Sequence, residues 1–197
     1  MTNDSSISSK TMSMSDAERM HVTALLRHTR DDLLAAIEPL TADQWAFQPG
    51  PDQWSIGFIA EHLGLVEARL FGQVEQALAT PANPDWERAS DGKTGIIETM
   101  LGNRDTRRDA PKAVVPTGAV VRPAAICRFL ERRAHTIAFA ETTQQPLKTH
   151  TLDHHRPAYG TLNAYQWLLY IPLHHQRHLE QIAEVAATPG FPTSDQV

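Results

Sequence analysis

Four segments of this chain repeat apolar residues at three- and four-residue spacing, and no segment alternates them with polar ones. That periodicity predicts long amphipathic helices that must bury their apolar stripes against one another. The first stripe is Val22, Leu25, Leu26, Leu33, Ile37 and Leu40, opened by the capping box Ser15-x-x-Glu18. A second capping box, Thr41-x-x-Gln44, predicts a short helical turn that Pro49, Gly50 and Pro51 end. Ser55 caps the second long helix, whose inner stripe is Ile59, His62, Leu63, Val66, Leu70 and Val74. Pro123 fits the first turn of a third, with Ile126, Phe129, Leu130 and Ile137 inward. Thr161 is the expected cap of a fourth, which runs to about Ala187 and carries a bend-inducing Pro172. The expected fold is all-α, a four-helix bundle.

The connections complete the layout. Residues 1–13 read as a disordered tail, 14–188 as the bundle domain and 189–197 as a C-terminal tail. Between the second and third helices, residues 80–121 are rich in Pro, Gly and charge, with at most a short helix near Gly95 to Leu101. A connection so long in a compact domain implies a crossover or a lid. Residues 142–160 read as a loop.

Charge and composition narrow the function. A net charge of -5 offers no basic surface for nucleic acid or an anionic membrane. No stretch approaches the ~20 apolar residues that span a bilayer, and the opening MTNDSSISSK lacks the apolar core of a signal peptide. One cysteine, Cys127, cannot form an internal disulfide, in keeping with a reducing cytoplasm. Its apolar context, AAICRFL, marks it as a packing residue.

Histidine is the informative residue type, with ten in the chain. In LLYIPLHHQRHLEQIAEV, residues 168–185, His174 and His178 stand about 40° apart around the helix, in the middle of the stripe formed with Trp167, Ile171, Ile182 and Val185. Imidazoles at i and i+4 can reach one ion, and His62, inward on the second helix, is the natural third ligand. The alternative is that each ring finds polar partners inside the core, since an unsatisfied buried polar group costs several kcal/mol. His175 lies about 60° beyond His178, at the edge of the stripe, where it reads as a pocket residue, and Gln181 on the other flank can orient a ligand or a bound water. Arg177 reads as a surface or pairing charge. His154 and His155 fall in the loop before the helix, where a solvated role or a place at a pocket mouth is open. His21, His28 and His135 read as ordinary helix residues. Glu61 and Glu67 lie off the inner stripe of the second helix, so no general base stands out.

Two separated motifs resemble those of the DinB-like (DinB/YfiT) superfamily. WSIGFIAEHLGLVE, residues 54–67, contains an early Trp-Ser leading to His62. HHQRHLEQI, residues 174–182, matches the family's H-x-x-x-H-x-x-Q with His174, His178 and Gln181. Residues 155–173, HRPAYGTLNAYQWLLYIPL, are similar to the family's run from a His-Pro-Phe-Gly-type loop into the last helix, with Arg156 inserted and Tyr159 in the aromatic place. The resemblance covers about residues 16–188. It implies an up-down-down-up bundle whose parallel second and third helices need the long crossover. It also implies a three-histidine site for one divalent ion, zinc or nickel, often in a homodimer, with His155 at the pocket.

Such a site leaves coordination positions open and can acidify a bound water or thiol or polarise a carbonyl. The expected activities are metal-assisted hydrolysis and S-transfer with a low-molecular-weight thiol on a small-molecule substrate, the latter because the family resembled includes S-transferases. A noncatalytic metal-binding or stress-linked role is the alternative. A third reading makes the histidines structural and the pocket a site for an apolar ligand.

Overall fold

Capping chemistry sets where the helices begin. In the computed structural model, which describes residues 12–105 and 109–193, Ser15 and Glu18 form a reciprocal capping box that opens α1, Asp16–Ile37. Thr41 and Gln44 do the same for the short α2, Ala42–Ala46. The Ser55 hydroxyl accepts the Phe58 N–H and starts α3, Ile56–Leu78. Two helices of the crossover follow, α4 (Trp86–Ser90) and α5 (Lys93–Gly102). Then α6 spans Arg122–Thr142 with proline in its first turn, and α7 spans Ala164–Ala186, continuing through Pro172. The chain is mostly helical, as the apolar periodicity predicts. Among the described residues no helix is long and apolar enough to cross a membrane.

Each of α1 and α3 packs against both α6 and α7, so the core lies at the junction of four long helices. Leu26, Leu33, Ile59, Leu63, Phe129 and Trp167 are all buried there. Of the two expected tails, residues 1–11 and 194–197 lie outside the described residues. Met12 accepts the Lys148 N–H, and Met14 is buried. At the other end Phe191 packs edge-on against Phe47.

Several expectations need correction. The crossover is more structured than its composition indicates, with a 3-10 turn over Lys112–Val114 in addition to its two helices. Ile97 and Leu101 anchor α5 in the core, and α5 packs along α7. The predicted loop before α7 belongs to a hairpin, in which β1 (Thr151–Asp153) pairs antiparallel with β2 (Thr161–Asn163). Three-residue strands are too short to display a period of two. Asn163, not Thr161, caps α7, because Gln166 at the third helical position completes its capping box. The Thr161 hydroxyl donates instead to Asp153 at 2.7 Å. Cys127 is exposed, not packed. The helical period turns it away from the inward residues of α6, and the Glu131 carboxylate that accepts its S–H pushes the thiol pKa up.

One charged group sits where all four long helices meet. Arg133 on α6 is completely buried. Its Nε donates to both Glu67 oxygens on α3 at 2.8 and 3.1 Å. One terminal nitrogen donates to the Leu26 carbonyl at 2.6 Å and the Thr29 hydroxyl at 2.7 Å on α1. The other donates to His175 Nδ1 on α7 at 2.8 Å. The sequence places Glu67 off the inner stripe, yet it is fully buried because Arg133 neutralises it. Removing one member of such a pair strands a charge in the core. Arg133→Met should cost about 3–5 kcal/mol in urea unfolding, and Glu67→Gln in the same background should recover part of that loss. A midpoint unchanged by Arg133→Met would show that the network does not hold the helices together.

Candidate metal centre

α3 supplies His62 and α7 supplies His174 and His178, one turn apart, and because these helices pack directly the three rings meet. Ring centroids lie 4.6 Å apart for His174–His178, 4.8 Å for His62–His178 and 5.6 Å for His62–His174. One nitrogen from each ring falls within 4.8 Å of the other two. His62 and His178 are buried, and His174 is partly open. Trp54, just ahead of the α3 cap, sets its indole beside His62 and His178, with centroids 4.7 and 6.4 Å away.

The outer nitrogens fix the tautomers. His62 Nδ1 lies 2.7 Å from the Val114 carbonyl oxygen, and His178 Nδ1 lies 2.8 Å from Gln181 Oε1. Each Nδ1–H therefore donates outward, and each Nε2 keeps a lone pair for the shared space. His174 Nδ1 is buried without any hydrogen-bond partner. Imidazole nitrogens gathered within 4.8 Å of one another form the donor set that a cation with nitrogen ligands takes. The residues present fit a divalent ion.

The Val114 carbonyl comes from the crossover, and Glu61 helps hold that segment in place. The Glu61 carboxylate accepts the Thr117 N–H, the Thr117 hydroxyl and the Gly118 N–H, each at 3.0 Å. Gly118 has φ of 71°, and a Cβ there would stand 2.5 Å from the Phe58 ring, so only glycine fits that turn. Glu61 is thus a positioning residue for its neighbour His62. It is buried, against the expectation that it sits off the inner stripe. Neither Val114 nor Glu61 emerges from the sequence as a site residue, because their partners lie 52 and 56 residues away. The Pro-Thr-Gly turn at 116–118 is the available signal.

The remaining histidines fall elsewhere. His175, expected at the stripe edge as a pocket residue, points into the Arg133 network and does not border the cavity. Its Nε2 lies 3.6 Å from Glu67. His154, placed in a loop by the sequence, is only 6% exposed, packed between His155 and Trp167 at centroid distances of 4.3 and 5.0 Å. His155 is exposed and borders the cavity. Arg177 donates to the carbonyls of Leu101 and Asn103, tying the end of α5 to α7. A cavity of about 660 Å³ adjoins the three imidazoles, a size suited to a small organic molecule.

The family model of the DinB superfamily matches residues 25–182, most of the chain and all three histidines. The chain belongs to the DinB superfamily. No match was found among curated proteins or among solved structures.

Electrostatics keep this DinB site ready for a cation. Burial pushes His62 down to about 4, partly offset by the Val114 carbonyl. It pushes His178 down to about 3, aided by His62 and opposed by Gln181. Burial, then His178 and His62, holds His174 well below its ordinary range. All three are neutral near pH 7, the ligand form of imidazole. In the metal-free protein the sign follows from linkage. The folded pKa values lie below the unfolded value of about 6.5, so below that pH the unfolded chain binds more protons and folding loses stability. Chelator-treated protein should show a urea midpoint that falls as the pH drops from about 7.5 to about 5, and the fall should shrink in His62→Gln/His178→Gln. An equal fall in both proteins would assign the acid sensitivity elsewhere.

Proposed function

We propose that this DinB protein is a metal-dependent enzyme that holds one divalent ion, zinc or nickel, on His62, His174 and His178 and acts on a small molecule in the adjoining cavity. The observation that carries the reading is the convergence of three imidazole nitrogens within 4.8 Å, on rings of which two have tautomers set by outward hydrogen bonds. A divalent ion with three protein ligands supplies Lewis acidity, polarising a carbonyl or acidifying a bound water or thiol.

The chain's own groups do the rest. Val114 and Gln181 hold the His62 and His178 rings in orientation. Trp54 covers two of the rings and limits water there. Glu61 and Glu67 are committed to the crossover turn and to Arg133, so neither is free to act as a general base. That commitment favours a nucleophile whose own acidity is raised at the site. Metal-assisted hydrolysis and S-transfer from a low-molecular-weight thiol both meet that requirement. Because all three imidazoles border the cavity, catalysis is favoured over the alternative of a noncatalytic metal-binding or stress-linked protein.

The wider reading follows the family resemblance. The four long helices form an up-down-down-up bundle, a reading supported by direct packing of α3 on α6 across a long connection. The protein is a cytoplasmic homodimer, in line with its lone cysteine and the habit of the family.

Elemental analysis of protein purified without a histidine tag should find about one zinc or nickel per chain. His62→Ala, His174→Ala and His178→Ala should each remove most of it, while Gln181→Ala and Glu61→Ala should weaken binding about 10-fold or more. Metal-loaded protein should turn over an ester or electrophile panel, with or without added thiols, faster than His174→Ala does. Absence of metal would end the reading. Stoichiometric metal without turnover would favour the noncatalytic alternative.

A further inference from the structure

At the same cavity stands a group of basic side chains that the metal reading does not use. His154 and His155 follow β1, Arg156 comes next in the chain, and Arg69 projects from α3. All four border the cavity. Both arginines lower the pKa of both histidines, after burial as the larger cause, so the four groups lie within electrostatic reach of one another. Among the described residues Arg69 makes no hydrogen bond or ion pair. Arg156 donates to the Asp109 backbone carbonyl at 2.8 Å and, among the described residues, pairs with no carboxylate. The cavity's other arginines are committed. Arg104 pairs with Glu184 and Glu180, and Arg177 holds the end of α5.

A second observation lies behind this rim. The Arg156 backbone N–H donates to His154 Nδ1 at 3.0 Å, so neutral His154 carries its proton on Nε2. That nitrogen is buried with no hydrogen-bond partner. Arg69 is exposed and Arg156 half-buried, so both present their charge at the cavity edge, where among the described residues neither pairs with a carboxylate. An oxyanion on a ligand in the cavity would pair with the two guanidiniums, with the His154 ring packed behind them. The separation from the three-histidine centre is short: the Tyr170 ring stands between, with centroids 5.5 Å from His154 and 6.1 Å from His174.

We infer that Arg69 and Arg156, backed by His154 and His155, receive an anionic group of the substrate, a carboxylate or phosphate a few bonds from the atom that reacts at the metal. The substrate class is thus a small organic anion. This inference rests on the metal reading above and adds to it the choice of substrate.

Binding separates the two. Zinc-loaded protein is titrated calorimetrically with acetohydroxamate, which grips zinc but has a neutral tail, and with the monohydroxamates of malonate, succinate and glutarate, which add a carboxylate at increasing reach. At least one anionic probe should bind about tenfold tighter than acetohydroxamate, and the advantage should shrink at about 1 M salt. Arg69→Gln and Arg156→Gln should each remove most of that advantage and leave acetohydroxamate binding unchanged. Arg69 has no bonded partner among the described residues, so its substitution does not threaten folding. If no anionic probe gains, or the gain survives both substitutions, the anion site is wrong and the metal site stands. If acetohydroxamate does not bind, or zinc is not taken up, both readings fall.

Discussion

Arg133 is the interaction on which the arrangement of helices depends. A guanidinium with no access to water needs its donors met and its charge balanced, and its partners come from α1, α3 and α7. Glu67 shares α3 with His62, and His175 is the chain neighbour of His174 on α7. The network therefore fixes how the two ligand-bearing helices face each other. A rotation of either helix that kept the apolar stripes buried would still break it, which is how a polar core group specifies one packing among several that hydrophobic burial alone would permit.

The three imidazoles repeat the same physical demand with a different answer. The outward nitrogens of His62 and His178 are satisfied by protein oxygens, whereas one nitrogen of each of the three rings lies within 4.8 Å of the other two. With their Nδ1 protons donated outward, His62 and His178 turn lone pairs toward the space between the rings, which suits a cation. Arg133 and the histidine centre are thus two polar layers in one core. The first is met within the protein except at His175 Nε2, 3.6 Å from Glu67, and the second is the one that the proposed ion would complete.

Much of this is legible in the chain and some is not, for physical reasons. The stripes of α1, α3, α6 and α7 follow from helical period, and the inward positions of His62, His174 and His178 follow from the same count. Partners supplied by distant segments do not. Val114 and Glu61 meet the site through a turn of the crossover, and no local pattern announces which backbone carbonyl a buried ring will find. Glu67 is misplaced by the sequence because a charged residue off the stripe reads as solvated until its partner, Arg133, is known, and His175, read as a pocket residue at the stripe edge, meets the same guanidinium. The hairpin ahead of α7 escapes because its strands are three residues long. Cys127 misleads through neighbours in sequence that are not neighbours on the helix face.

X-ray absorption at the metal edge of the native protein tests the central claim most directly, because it reads the ligands themselves. The account predicts imidazole multiple scattering from three rings, with zinc–nitrogen distances of about 2.0–2.1 Å and a light fourth ligand, and loss of one ring in His62→Gln. A shell of sulfur, a shell of oxygen alone, or an imidazole count that His62→Gln leaves unchanged would contradict it.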